Sequence, residues 1–279
     1  MKKIIALVLV LLVSGVSFGA ENEMLLGHLT KLGVDEETLN SDLAEPFLSL
    51  TPFTRFKYFN TIYGMVAALM SGRIAAFEID KYTADYLISR TKQYALLSLL
   101  KLPVYNVKFS MLLRDENVEF CERISSAIRD MKSDGTLAAM KKKYIDDECI
   151  VGTDPKAVKP EHFDGALTFR VALTGDLPPM DYFADAGDPI GFNTALVSEI
   201  AKRLKMNVVF ISVHSGARAI CLEAKACDVV FWTETGDYND REGWELDDRP
   251  EHTIITESYL DSTLTYVTMS DSPLLKLKK

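Results

Sequence analysis

Two runs of alternating strand and helix pattern, residues 55–150 and 166–269, stand either side of a polar stretch at 151–165. Strands and helices that take turns and are joined by short loops build an α/β layer, so this rhythm constrains the fold most. In the first run, Arg55-Phe-Lys-Tyr-Phe59 alternates like a half-buried strand. Asn60 or Thr61 can cap the helix behind it, whose apolar face is Tyr63, Val66, Ala67, Leu69 and Met70 and whose stop is Ser71-Gly72. A buried strand is predicted over Ile74–Ile79, ending at Asp80, with helical spacing again from Tyr82 to Ser89. Residues 104–113 predict another strand. Phe120, Ile124, Ala127, Ile128 and Met131 recur at helical spacing, and Ser133-Asp-Gly-Thr136 closes that helix and opens the next.

The stretch 151–165 reads as a linker, kept extended by Asp154-Pro155 and Lys159-Pro160. The second run then predicts strands at Phe169–Leu173, Val208–Val213, Asp228–Trp232 and Leu264–Met269. Helices are predicted at Ala195–Leu204 and Ala217–Ala224, with long loops over 174–192 and 233–252. Residues 21–50 carry weak signals: Asp35-Glu-Glu37 could start a short helical lead-in before Pro46 and Pro52 break regularity.

The first twenty residues have the pattern of a secretory signal. Lys2 and Lys3 precede the apolar run Ile4–Val13, and small residues suited to cleavage after Gly19 or Ala20 follow. The apolar core is short for a membrane span, and no lipobox cysteine follows. Removing this segment leaves about 259 of the 279 residues and takes the formal net charge from −9 to about −11. Such an acidic chain is a poor fit to nucleic acid or an anionic membrane, and no span is expected after signal cleavage. The expected location is extracytoplasmic, in the periplasm. There export makes disulfides possible for Cys121, Cys149, Cys221 and Cys227. The preferred pairs are Cys121–Cys149 and Cys221–Cys227; the alternative is buried free thiols. No spacing suits a metal site, and no cofactor is expected.

The segments resemble the extracellular solute-binding protein family 3, the type II periplasmic receptors for polar amino acids, in a permuted order. Phe169-Arg-Val-Ala-Leu-Thr-Gly-Asp-Leu-Pro-Pro-Met180 is similar to the family's first strand and the loop over its ligand. Gly187-Asp-Pro-Ile-Gly-Phe192, Ile200-Ala-Lys-Arg-Leu204 and Cys227-Asp-Val-Val-Phe-Trp232 resemble its next elements, and Glu257-Ser-Tyr-Leu-Asp-Ser262 its entry to the hinge. Ala68–Asp80 and Ile128–Tyr144 resemble the family's closing segments, yet they come first here. The resemblance implies a circularly permuted, two-lobed α/β fold of the periplasmic-binding-protein type II, with the second lobe incomplete. The elements that open that lobe in the family are not found behind residue 269, so it is either reduced or completed by residues 21–50. The implied divisions are 1–20 (signal), 21–54 (helical lead-in), 55–103 (partial second lobe), 104–150 (first lobe), 151–165 (linker) and 166–279 (first lobe and hinge strand).

The implied function is capture of a small polar solute, an amino acid, for the permease of an ABC-type importer. Asp80 matches the position that meets the ligand ammonium; otherwise it is a strand-end cap. Arg241 is the candidate carboxylate clamp, one residue out of the family's register; otherwise it is a solvated loop arginine. Thr233 and Thr235 stand just past a strand end, where hydroxyls and backbone N–H groups meet oxyanions, or form ordinary turns. Met180 and Tyr182 follow the double proline, where the family covers its ligand with apolar side chains, or simply pack the loop. Trp232 and Ser215 also sit near strand ends, as cleft lining or core. Two other readings are a one-lobed receptor acting as a sensor or interaction module, and a dehydratase-like enzyme. Against catalysis, the sequence has no Gly-x-Ser-x-Gly, no His-Glu-x-x-His and no phosphate loop, and no catalytic residue is expected.

Overall fold

The computed structural model describes residues 24–29, 52–98, 106–147, 157–184, 187–236 and 249–276. It opens with strand β1 (Leu25–Leu29), β2 (Arg55–Phe59), helix α1 (Ile62–Met70), β3 (Ala76–Asp80), α2 (Lys81–Arg90) and β4 (Tyr94–Leu97). Next come β5 (Asn106–Arg114), α3 (Val118–Ser133) and α4 (Thr136–Lys141), the last continued by a wider turn at Lys142–Asp146. The second run begins with β6 (Thr168–Leu173) and a small ribbon, β7 (Asp176–Leu177), β8 (Asp181–Phe183) and β9 (Pro189–Ile190). It continues with α5 (Phe192–Leu204), β10 (Asn207–Ser212), α6 (Arg218–Glu223), β11 (Val229–Gly236), β12 (Thr253–Ile255) and β13 (Leu260–Met269).

One curled sheet carries two half-sheets of matching plan. In the first, β10, β6 and β11 run parallel, β5 joins antiparallel to β11, and β12 pairs with the far end of β5. In the second, β2, β1 and β3 run parallel, β13 joins antiparallel to β3, and β4 pairs with β13. The antiparallel strands are exchanged. β5 follows the second half-sheet in the chain but lies in the first, and β13 follows the first but pairs mainly in the second. They meet along Leu260–Thr263 and Asn106–Phe109, which form the hinge. The two α/β runs are therefore interleaved rather than folded side by side.

The lead-in contains a strand, β1, ahead of the expected helix, and among the described residues the second half-sheet has five strands. Leu25–Leu29 pairs with both β2 and β3 and buries Leu26. A five-residue apolar run with a glycine in it is too short for periodicity to separate strand from coil; its two partners decide. The helix expected from Asp35, the signal segment and Cys149 lie outside the described residues.

The helices follow their capping and spacing. Thr61 Oγ1 accepts from Gly64 N–H, and Ile62, Met65, Ala68 and Leu69 form the buried face of α1. Cys121, Ile124, Ala127, Ile128 and Met131 line the buried side of α3. Strand residues split by parity between two faces. Met111, Leu113, Val171, Leu173 and Phe231 pack under α3 and α5, while Leu112, Ala172, Val230 and Trp232 pack under α6. Cys121, Cys221 and Cys227 are free buried thiols, so the expected Cys221–Cys227 bridge is absent. Cys221 and Cys227 sit in the apolar cluster under α6 as small hydrophobes, and burial pushes the Cys227 thiol well up.

Candidate functional site

Parallel strands of one half-sheet end facing the other half, and the loops at those ends form the junction. From the first lobe comes the segment 174–183, shaped by a polar knot. The Asp181 carboxylate accepts from Thr174 Oγ1 (2.9 Å), Gly175 N–H (2.9 Å) and Asn193 Nδ2 (2.7 Å), and Tyr259 O–H donates to Asn193 Oδ1. Gly191 closes the same turn at φ 102°, where a Cβ would stand 2.6 Å from the Met180 carbonyl oxygen. Asp181 is thus spent on structure.

That segment docks on the helices of the second lobe. Asp176 Oδ2 accepts the Ile62 N–H at the start of α1, at 2.8 Å and buried. Leu177 touches the cores of both lobes. Tyr182 is buried and its ring lies 5.9 Å from that of Tyr86 on α2. Burial pushes the Asp176 carboxyl above the usual carboxylate range, against the Ile62 hydrogen bond and with help from Asp181.

Asp80 ends β3 and caps α2. Its Oδ1 accepts from Tyr82 N–H (2.9 Å) and Thr83 N–H (3.2 Å). It is 7% exposed, and burial raises its pKa despite these bonds. Thr83 Oγ1 stands close enough to act on that carboxyl but makes no aligned hydrogen bond. Ser262 Oγ on β13 is likewise buried without a partner. Tyr82 O–H donates to the Asp261 carbonyl, which holds the first turn of α2 against this part of β13.

On the first-lobe side, Ser215 is buried in the turn after β10, and its carbonyl accepts from Arg218 Nε (3.1 Å). Arg218 Nη1 donates to the Phe231 carbonyl (2.6 Å), and the guanidinium lies 4.9 Å from the centroid of the Trp232 ring. Trp232 is buried under α6. Thr233 is half-buried opposite Phe109, and Thr235 is opposite Val107 on β11. Met180, expected as an adaptable lid, is fully buried in the first-lobe core. Its neighbour Tyr182 is the residue of that loop that meets the second lobe. Arg241 and the side chain of Thr235 lie outside the described residues.

Sequence reasoning passed over Asp176, Thr83, Ser262 and Arg218. Asp176 lies just before the double proline, and nothing local marks a carboxylate that will cap a helix 114 positions away. Two histidines stand near acids, His252 by Asp115 (3.3 Å) and His162 by Asp164 (3.4 Å), both at the exposed surface and away from the junction. Among the described residues there is no cluster fit for a metal ion and no helix long and apolar enough to cross a membrane.

Two α/β half-sheets, hinged by exchanged antiparallel strands and closing loops on one another, define the periplasmic-binding-protein fold of type II. Residues 169–242 match the model of the bacterial extracellular solute-binding proteins, family 3. No curated protein matches the sequence. Similar solved structures include the GluR0 ligand-binding core in complex with L-glutamate, at 11% identity, TM-score 0.44, covering 92% of this chain and 89% of that one. Another is a histidine kinase sensor domain with similarity to periplasmic binding proteins, at 14% identity, TM-score 0.42, with 91% and 86% covered. A third is the ligand-binding component of an ABC-type import system from Staphylococcus aureus, at 11% identity, TM-score 0.42, with 92% and 68% covered. Likenesses this distant assign no residue a role.

Proposed function

We propose that the protein is an exported, periplasmic solute receptor that closes on an amino acid and delivers it to the permease of an ABC-type importer. It binds and does not catalyse. One observation carries the reading: Asp80, buried with a raised pKa, stands at the end of β3 where that strand pairs with β13 and caps α2. A buried carboxyl at that strand end suits an ammonium, which has three N–H donors and no acceptor. The five-stranded second half-sheet supports a two-lobed trap over a one-lobed module. The exchange of β5 and β13 supports a permuted order, in which the chain starts with the second lobe and ends by re-entering it.

A thermal-shift screen of the amino acids tests the reading. Ligand at 100 times its Kd adds roughly 2.7 kcal/mol to stability, which is readily seen as a rise in melting temperature. Asp80→Asn keeps a side-chain oxygen to cap α2 but removes the charge, so the expected result is normal folding with at least tenfold weaker amino-acid binding. If no amino acid raises the melting temperature of the wild-type protein, the receptor reading fails.

A further inference from the structure

Away from the junction, the first lobe carries a cavity of about 520 Å³, bounded by α4 with the turn behind it, by α5 and by the segment leading into β6. Each of the two helical walls turns one face to it. Met140 is followed by Lys143 and Tyr144 on one wall, and Ala195 by Ser198 and Lys202 on the other, at the spacings that share a helix face. Val158 and Lys159 form the third wall. The segment that carries them is fixed a few residues on, where Asn207 Oδ1 accepts from Phe163 N–H (2.9 Å) and Asn207 Nδ2 donates to the Phe163 carbonyl (3.0 Å). The cavity shares no residue with the junction. Its volume suits a small organic molecule.

Charge narrows the occupant. In the run 141–143, Lys141 donates to Asp146 (2.7 Å) and Lys142 to Asp147 (2.7 Å), whereas Lys143 donates to the neutral Tyr144 hydroxyl (3.2 Å). Among the described residues, neither Lys159 nor Lys202 has an acidic partner. Glu199 is held by Arg203 Nε (3.0 Å), which leaves Glu161 as the one unpaired acid at the cavity against three ammonium groups. The chain as a whole has a formal net charge of −9, so the sign reverses here. Lysine heads ride on flexible stems and can gather on one anion, while Met140, Val158 and Ala195 offer an apolar wall beside them. A phosphate monoester carries about −1.5 to −2 charge at neutral pH and three terminal acceptor oxygens, one for each ammonium. A lone carboxylate brings less charge and fewer oxygens. We infer that this cavity binds a small organic phosphate monoester, with its phosphate on Lys143, Lys159 and Lys202 and its apolar body against Met140, Val158 and Ala195. Binding is non-covalent. The site is additional to solute capture between the lobes and does not rest on it.

Nuclear magnetic resonance of the protein labelled with 13C at the methionine methyl groups tests this at the cavity wall. The Met140 peak is assigned by its loss in Met140→Leu. Phenyl phosphate, inorganic phosphate and benzoate are titrated separately in phosphate-free buffer. The expected result is a saturable move of the Met140 peak with phenyl phosphate. Inorganic phosphate, which lacks the apolar body, and benzoate, which lacks the second charge, are each expected to bind at least tenfold more weakly. A variant combining Lys143→Gln, Lys159→Gln and Lys202→Gln is expected to keep the wild-type melting curve, because all three side chains are exposed. It is expected to bind phenyl phosphate at least tenfold more weakly. If phenyl phosphate leaves the Met140 peak in place, there is no such site. If the triple variant binds it as tightly as wild type, the lysines do not hold the phosphate and the inference is wrong. If either fragment binds as tightly as phenyl phosphate, the assigned ligand class is wrong.

Discussion

The two half-sheets share a plan but not a construction. The first is covered on both faces, by α3 and α5 on one side and α6 on the other, and its core runs through Phe169, Val171, Phe192, Leu196 and Tyr259. The second splits its apolar residues between two smaller clusters, one around Phe77 and Met65, the other around Leu26 and Phe56. The first lobe also ties itself with charge: Asp228 accepts from the Arg170 backbone N–H (2.8 Å) and from its guanidinium (2.8 Å and 3.1 Å). The second lobe takes β13 into its sheet and Asp176 at the start of α1 from the other run. The first lobe is in turn completed by β5, so each half-sheet takes one strand from the other run, and what sets them apart is the larger continuous core of the first.

The largest expected effect probes whether the lobes are energetically separate. Phe192→Ala in the first core and Phe77→Ala in the second each remove a fully buried ring, at about 3–5 kcal/mol. Because β5 and β13 are exchanged, both variants are expected to melt in one shared transition. Two transitions by circular dichroism, with Phe77→Ala moving only the lower, would break the picture of one cooperative unit.

A smaller effect concerns pH. Asp80 and Asp176 both have native pKa values raised by burial, so the folded state holds their protons longer than the unfolded chain. Their contribution is fully present below the ordinary carboxylate pKa of about 4 and is lost as pH rises through the raised native values. Asp80→Asn with Asp176→Asn keeps both capping oxygens and removes both ionisations. The double variant is expected to lose less stability than wild type as pH is raised above about 4. Parallel melting-temperature profiles of the two proteins would contradict the burial of these carboxyls.

The smallest effect is local. Thr61→Ala removes the Oγ1 that accepts Gly64 N–H and is expected to cost about 1 kcal/mol by urea denaturation. Asp176 also caps this helix start, across the lobes. A loss in Thr61→Ala that grows when Asp176→Asn is added would show the two caps supporting each other.

Most of the first lobe was legible in the sequence. Met111, Leu112 and Leu113 divide between two buried faces, and α3 has its apolar stripe at Ile124, Ala127, Ile128 and Met131, so periodicity found both elements. Leu264–Met269 was found as a strand, but β13 begins four residues earlier, at Leu260, because its start pairs with β5 in the other lobe. The candidate site was legible only in part. Asp80 was a candidate through the family resemblance, with a strand-end cap as the alternative, and the structure places it at the end of β3 as the cap of α2. Met180 and Tyr182 follow the same double proline, and nothing local distinguishes the one that enters the core from the one that reaches Tyr86.

The amino-acid order by itself determined the elements: where apolar spacing changes from two to about 3.6, and where Thr61, Asp80 and Gly135 start helices. These depend on neighbours a few residues apart, which a sequence displays. Only the tertiary structure decided that β1 completes the second half-sheet, that β5 and β13 change places, and that Asp176 reaches α1 and Arg218 lies over Trp232. Those contacts join residues far apart in the chain, and strand pairing and burial select them only once the half-sheets have closed.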